Sequence, residues 1–271
     1  MRKNIDKIHL LSLGFPILTA TSIIFRTLAM LFAYDSSVGY FSSSSVFTYM
    51  SRSFFAVGLI FGILTLLLCK KEDLKTEATP WSVYSAFSST IVSFSLLIFS
   101  LLYVLLNLGG IKPLHILTVF FAVAAAIFFM ADLLGGKKDG GSEIGLPCAI
   151  FTILALLLIV FAEYFDYHTA LNSSEKQLTI FTFVIGALYI LQRARYSSGI
   201  PQPRLRLITA FSTAFIGAFT SIPGFVGSFA GTLSSPKYLV YYLLSFALAV
   251  YAATDLLSSL RLLRYTRSDK E

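Results

Sequence analysis

Eight apolar runs, each near the length of a membrane-crossing helix, recur along the 271 residues with only short polar linkers between them. At 1.5 Å rise per residue, about 20 apolar residues match the hydrocarbon core of a bilayer. No water is present there to take up exposed backbone groups, so a crossing segment must satisfy its own hydrogen bonds, as a helix does. The runs also lack the strict alternation of membrane β-barrel strands. The sequence therefore predicts an all-α, polytopic membrane helix bundle with spans over roughly 9–33, 46–69, 83–106, 114–134, 146–165, 176–193, 206–230 and 237–259. Charged residues make up 13% of the chain, against about 25% in soluble domains, too few to coat a globule. No linker could bury a core of its own, so 1–271 reads as a single integral membrane domain.

Basic residues set the expected orientation. Only Arg52, Lys112, Lys176 and Lys237 fall on one side of this plan, while sixteen Lys and Arg fall in the two tails and the other loops. Both termini are therefore expected to be cytoplasmic, in a plasma or inner membrane. The net charge of +7 expresses this bias, and no basic domain exists that would bind nucleic acid. The C-terminal tail Ser259–Glu271 could touch anionic lipid headgroups, although a stop-transfer flank explains it as well. Arg2, Lys3 and Lys7 precede an apolar run without a small-residue cleavage site, which reads as an uncleaved first span. Cys69 and Cys148 both sit near cytoplasmic span ends, where a disulfide is not expected, and two lone cysteines make no metal signature.

The even-numbered spans end on Lys70, Asp132, Arg193 and Asp255, at intervals of 62, 61 and 62 residues. Aligned on those ends, Ile116-Leu-Thr-Val-Phe-Phe121 lies over Gln177-Leu-Thr-Ile-Phe-Thr182. The pattern reads as four tandem helical hairpins, about 9–70, 80–132, 146–193 and 204–255, although evenly spaced helices produce such a period without duplication. The alternating signs would allow ion pairs around an inner rim. Prolines at 80, 147, 203 and 236 stand at span starts, where an absent N–H costs nothing.

Small and hydroxyl residues form stripes on the odd spans: Thr19, Ser22 and Arg26; Ser85, Ser89 and Ser93; Thr213, Gly217, Thr220 and Gly224. Such faces let helices approach closely, or line a polar passage. Gly58-Leu-Ile-Phe-Gly62 is the common small-residue motif of helix packing and a weak pointer to a membrane-protein partner or homo-oligomer.

Four features could carry chemistry. Arg26 lies inside the first span, where its charge requires a partner or an anionic ligand; Glu163 is the acidic candidate within the membrane. Glu163, Asp166 and His168 form a weak metal or proton-shuttle candidate, with Asp35 and His115 at neighbouring helix ends. Ser221, Pro223 and Gly224 are expected to break or kink the seventh span, as helices beside transporter sites do, and Gly14-Phe-Pro16 is a milder version in the first. Lys70, Asp132, Arg193 and Asp255 form the rim set. No enzyme signature and no cofactor motif is present, so an outer-leaflet enzyme is the least supported reading. A small-molecule permease, with an anionic solute in view, and a non-enzymatic scaffold or accessory subunit are the other two.

Overall fold

The computed structural model describes residues 2–36, 38–69, 74, 83–135, 145–166, 173–200, 202–233 and 236–268. It is built from α1 (Arg2–Phe32), β1 (Tyr34–Asp35), β2 (Tyr40–Phe41), α2 (Val46–Leu67), α3 (Val83–Leu106), α4 (Pro113–Gly135), α5 (Leu146–Tyr164), α6 (Ser174–Ser197), α7 (Pro203–Phe229) and α8 (Pro236–Ser268). Among the described residues, eight helices are long and apolar enough to cross a membrane. The expected spans agree with them to within three residues at each end, so the chain is a multipass membrane protein whose environment is a lipid bilayer.

Local chemistry sets the helix boundaries. Proline opens α4, α7 and α8 and occupies the first turn of α5, where no partner for its missing N–H is needed. Ser173 caps α6 by accepting the Lys176 N–H at 3.4 Å. Gly199 and Gly231 end α6 and α7 at φ of 75° and 74°, a backbone that side chains resist. Their neighbours return the matching bonds, Ile200 N–H to Arg195 O and Thr232 N–H to Gly227 O, which closes both helices in the Schellman manner. Proline 80, Lys70 and His168 lie outside the described residues, as do the side chains of Asp132 and of the tail beyond Leu262.

Helix α7 is the centre of the bundle: 78% of its apolar 18-residue stretch is buried, against 22% for that of α1 and 28% for that of α2. It packs on α8, α6, α1 and α2, while α3, α4, α5 and α6 follow one another and close onto α8 through α3. A two-stranded hairpin, Tyr34 paired with Phe41 and Asp35 with Tyr40, covers one end. That end is termed the hairpin face, and the opposite one the termini face.

Glycine notches seat the aromatic ridge of α7. A Cβ on Gly58 would lie 2.4 Å from Phe215, and one on Gly62 would lie 2.0 Å from Phe211. The motif in α2 is thus occupied within the chain. Gly217 lies against Ser245 and Ala249 of α8, and Gly224 against Tyr242, so the α7 stripe is a packing face. The seventh span is not broken. Pro223 sits inside a continuous helix, and Thr220 and Ser221 hydroxyls bond back to Ile216 and Gly217 carbonyls at 2.8 and 2.7 Å. Pro16 likewise lies inside continuous α1.

Gly62→Ala should force the Phe211 ring out of its notch and cost about 1–3 kcal/mol, the range for overpacked cores. Denaturant unfolding in micelles measures it; a neutral result would mean that the ring relocates freely.

Candidate functional site

Buried charge gathers at both ends of the α6–α7–α8 core. On the hairpin face, Arg26 of α1 is 6% exposed and forms an ion pair with Glu175 Oε1 in the first turn of α6. Tyr242 of α8 donates to Glu175 Oε2 at 2.8 Å. The guanidinium carbon lies 4.0 Å from the centroid of Phe41 on the hairpin and 5.4 Å from that of Phe219 on α7. One arginine thus ties together α1, α6, α7 and the hairpin, and α8 joins through the carboxylate.

A second group lies beside it. Lys237 Nζ is 2.5 Å from both Glu163 Oε2 and Asp166 Oδ2, and Tyr238 donates to Glu163 Oε1 at 3.1 Å. Lys176 donates to the Asp166 carbonyl at 2.5 Å. The Tyr238 and Tyr242 rings stack at 6.2 Å, so the first turns of α8 touch both carboxylate groups. Tyr34, in the hairpin, has its hydroxyl pushed up to about 12, first by burial and then by the Glu175 and Asp35 charges, with Arg26 opposing.

On the termini face, Asp255 of α8 receives two arginines. Arg193 Nη1 of α6 lies 3.2 Å from Oδ1, Arg206 Nη2 of α7 pairs with the same oxygen, and Arg206 Nε donates to Oδ2 at 3.3 Å. Tyr189 donates to Oδ2 at 3.1 Å. Arg193 stands over the Tyr251 ring at 5.1 Å and Arg206 over Tyr196 at 4.5 Å. Both arginines and the aspartate are buried.

Between the two ends run hydroxyls. Thr182 and Thr220 lie 3.1 Å apart across α6 and α7, and Thr213 donates to Ile185 O at 3.3 Å. Thr179 and Ser245 are fully buried, with hydroxyl oxygens lacking partners among the described residues. Glu175 and Arg193 are 18 residues apart on α6, or about 27 Å, close to the thickness of the hydrocarbon core.

The expected partner of Arg26 was Glu163; the structure gives it Glu175 instead, and Glu163 goes to Lys237. The physical reason is the true start of α6. The apolar run begins after Glu175, whereas the helix includes that residue and protein covers it. The serine cap at 173 with an acid in the first turn is the helix-start signal that the sequence carries. Glu163 and Asp166 do come together, on a lysine; His115 instead accepts the Lys112 N–H at 3.4 Å and packs edge-on against Tyr103. Within the rim set, Arg193 and Asp255 pair, joined by Arg206, which the spacing argument had missed. Ser221 and Pro223 are buried within α7, and Gly224 lies against Tyr242 of α8.

Fold and geometry together define a multipass helical membrane protein with an ion-pair cluster at each end of its core. No family model, curated protein or solved structure matches the chain at a significant level.

Replacing Arg26 by Met leaves the Glu175 carboxylate buried with Tyr242 as its partner, and should cost about 3–5 kcal/mol, as loss of one member of a buried pair does. Replacing Arg26 and Glu175 together by Met should cost less than either single change. A double-mutant cycle in micelles checks this, and additive losses would sink the pairing. Tyr34 adds a pH signature. Its folded hydroxyl holds its proton above the ordinary value of 10.0, so its contribution is complete below pH 10 and lost as pH rises toward 12. Tyr34→Phe should flatten that alkaline loss of stability in a pH series of melting curves.

Proposed function

We propose that the protein is a small-molecule transporter held in an occluded state, with the two buried ion-pair clusters as its gates. One observation carries the reading: α6 and α8 supply charges or hydroxyls to both clusters, at opposite ends of a hydroxyl-bearing seam that they share with α7. Intramembrane charges paired inside a bundle are characteristic of transport pathways. Opening one end requires that Arg26 leave Glu175; opening the other requires that Asp255 leave Arg193 and Arg206. The basic-residue bias makes the termini face cytoplasmic in this reading.

The repeat interval supports the same architecture. Arg193 and Asp255 are 62 residues apart and pair, while Tyr189 and Tyr251, also 62 apart, have ring centroids at 5.9 Å. We infer that α5–α6 and α7–α8 are tandem copies of one hairpin, with α6 and α8 as equivalent helices that meet side by side. A packed scaffold is the competing reading, favoured by the near-complete burial of Arg26.

Thiol labelling separates the two. In a chain with Cys69 and Cys148 replaced by Ser, Ser245→Cys puts a thiol in the middle of the seam. Glu175→Gln should raise its labelling by a membrane-impermeant reagent from the hairpin face at least about tenfold, equal to some 1.4 kcal/mol less closure. Asp255→Asn should do the same from the termini face. A thiol sealed from both faces in all backgrounds would leave the scaffold.

A further inference from the structure

The arginines of the termini face are arranged as a carboxylate receptor. We propose that Arg193 and Arg206 form a binding site for a small organic carboxylate, in which Asp255 is the resident carboxylate that the ligand displaces. This deepens the transport reading and rests on it, naming the class of substrate.

The grip on Asp255 is the kind a free carboxylate would receive. Arg206 approaches side-on, with Nε to one oxygen and Nη2 to the other, and Arg193 adds Nη1 from a different helix. A planar guanidinium fork matches a carboxylate in both spacing and direction, which an ammonium does not. Each guanidinium is also held from behind, Arg193 by the Tyr251 ring and Arg206 by the Tyr196 ring. The Tyr196 contact ties Arg206 of α7 to α6 without α8, so Arg206 keeps its place beside Arg193's helix when the aspartate leaves. A site organised before its ligand arrives loses less on binding.

Ser259 is the independent observation. It follows Asp255 by four residues and so lies on the same face of α8, one turn nearer the termini face. Its side chain is buried, at 1% exposure, and its hydroxyl has no partner among the described residues. An entering carboxylate held by the arginines would bring an acceptor to that hydroxyl.

Depth fits as well. Arg193 lies four residues before the end of α6 and Arg206 three after the start of α7. That is about 4.5–6 Å from the helix ends, within reach of solute from the termini face. The hairpin-face arginine differs: Arg26 meets a carboxylate that Tyr242 also holds, under the cover of Phe41.

The test is thermal unfolding of the full chain in micelles with sodium acetate, against sodium chloride at equal ionic strength. Acetate should raise the midpoint saturably above chloride. Asp255→Asn keeps the shape and removes the competing charge, so the acetate concentration for half effect should fall about tenfold, or 1.4 kcal/mol. A purely structural aspartate predicts an acetate effect in Asp255→Asn, where the arginines are left unpaired, and none in the unmodified chain. Arg193→Lys keeps the charge and loses the fork, and should abolish the acetate effect in either background. Should Asp255→Asn not fold, the unmodified chain and Arg193→Lys decide the matter by the same comparison. Acetate equal to chloride in the unmodified chain overturns the proposal, whatever the response of Asp255→Asn. The outcome is separable from gating. A Ser245→Cys thiol sealed from both faces removes transport whether or not acetate binds, and an opening seam indifferent to acetate removes only the substrate class.

Discussion

A charge held inside hydrocarbon must find its partner within the protein, and helix α8 answers the charged groups at both ends of the bundle. Tyr242 reaches Glu175, Lys237 and Tyr238 reach Glu163, and Asp255 receives Arg193 and Arg206. Without α8, Arg193 and Arg206 would lose their shared carboxylate, and Glu163 its cation. The cost of stranding such groups is several kcal/mol each, more than any single apolar contact in the bundle supplies. The arrangement of the other helices follows from this. Helices α1, α5 and α6 each bring a charge to α8 or to its hydrogen-bond partners, and α7 brings Arg206.

Packing makes that convergence possible. A hydrophobic driving force between helices is absent in lipid, so close contact has to come from shape. Phenylalanines 211 and 215 of α7 enter the notches at Gly62 and Gly58, which seats α2 on one side of α7. Small residues at 217 and 224 let α8 approach on another. Helix α7 therefore packs closely on both sides, by its ridge against α2 and by its small residues against α8. Its prolyl turn is absorbed without a break because hydroxyls at 220 and 221 bond within the helix.

The spans were legible in the sequence because lipid imposes a length and an apolar composition on each helix independently of the others. The pairings were legible only where spacing encoded them. Arg193 and Asp255 stood out as equivalent span ends, and they do meet. Arg26 was visible as a charge needing a partner, but whether Glu163 or Glu175 reaches it depends on how α1 lies against α5 and α6, which no local pattern records. The same holds for Gly58 and Gly62, since a small-residue motif states that something packs closely and not which helix does. Arg206 escaped notice because it lies at a span edge, where a basic residue reads as an orientation signal.

The two ends differ in a way that bears on how such a bundle could move. At the hairpin face the clamp joins α1 to α6 and rests under a loop element, Tyr34 to Phe41, so it can part by displacement of the hairpin and the end of α1. At the termini face the clamp joins three consecutive core helices, and it parts only if α8 shifts relative to α6 and α7. Rupture of both at once would strand five charges. Rupture of one leaves the other holding α6 to α8, so the intact cluster acts as the fulcrum for the opening one. Within the transport reading, alternation between the faces then needs no separate coupling device: it follows from the cost of leaving buried charge unpartnered at both ends of the same pair of helices.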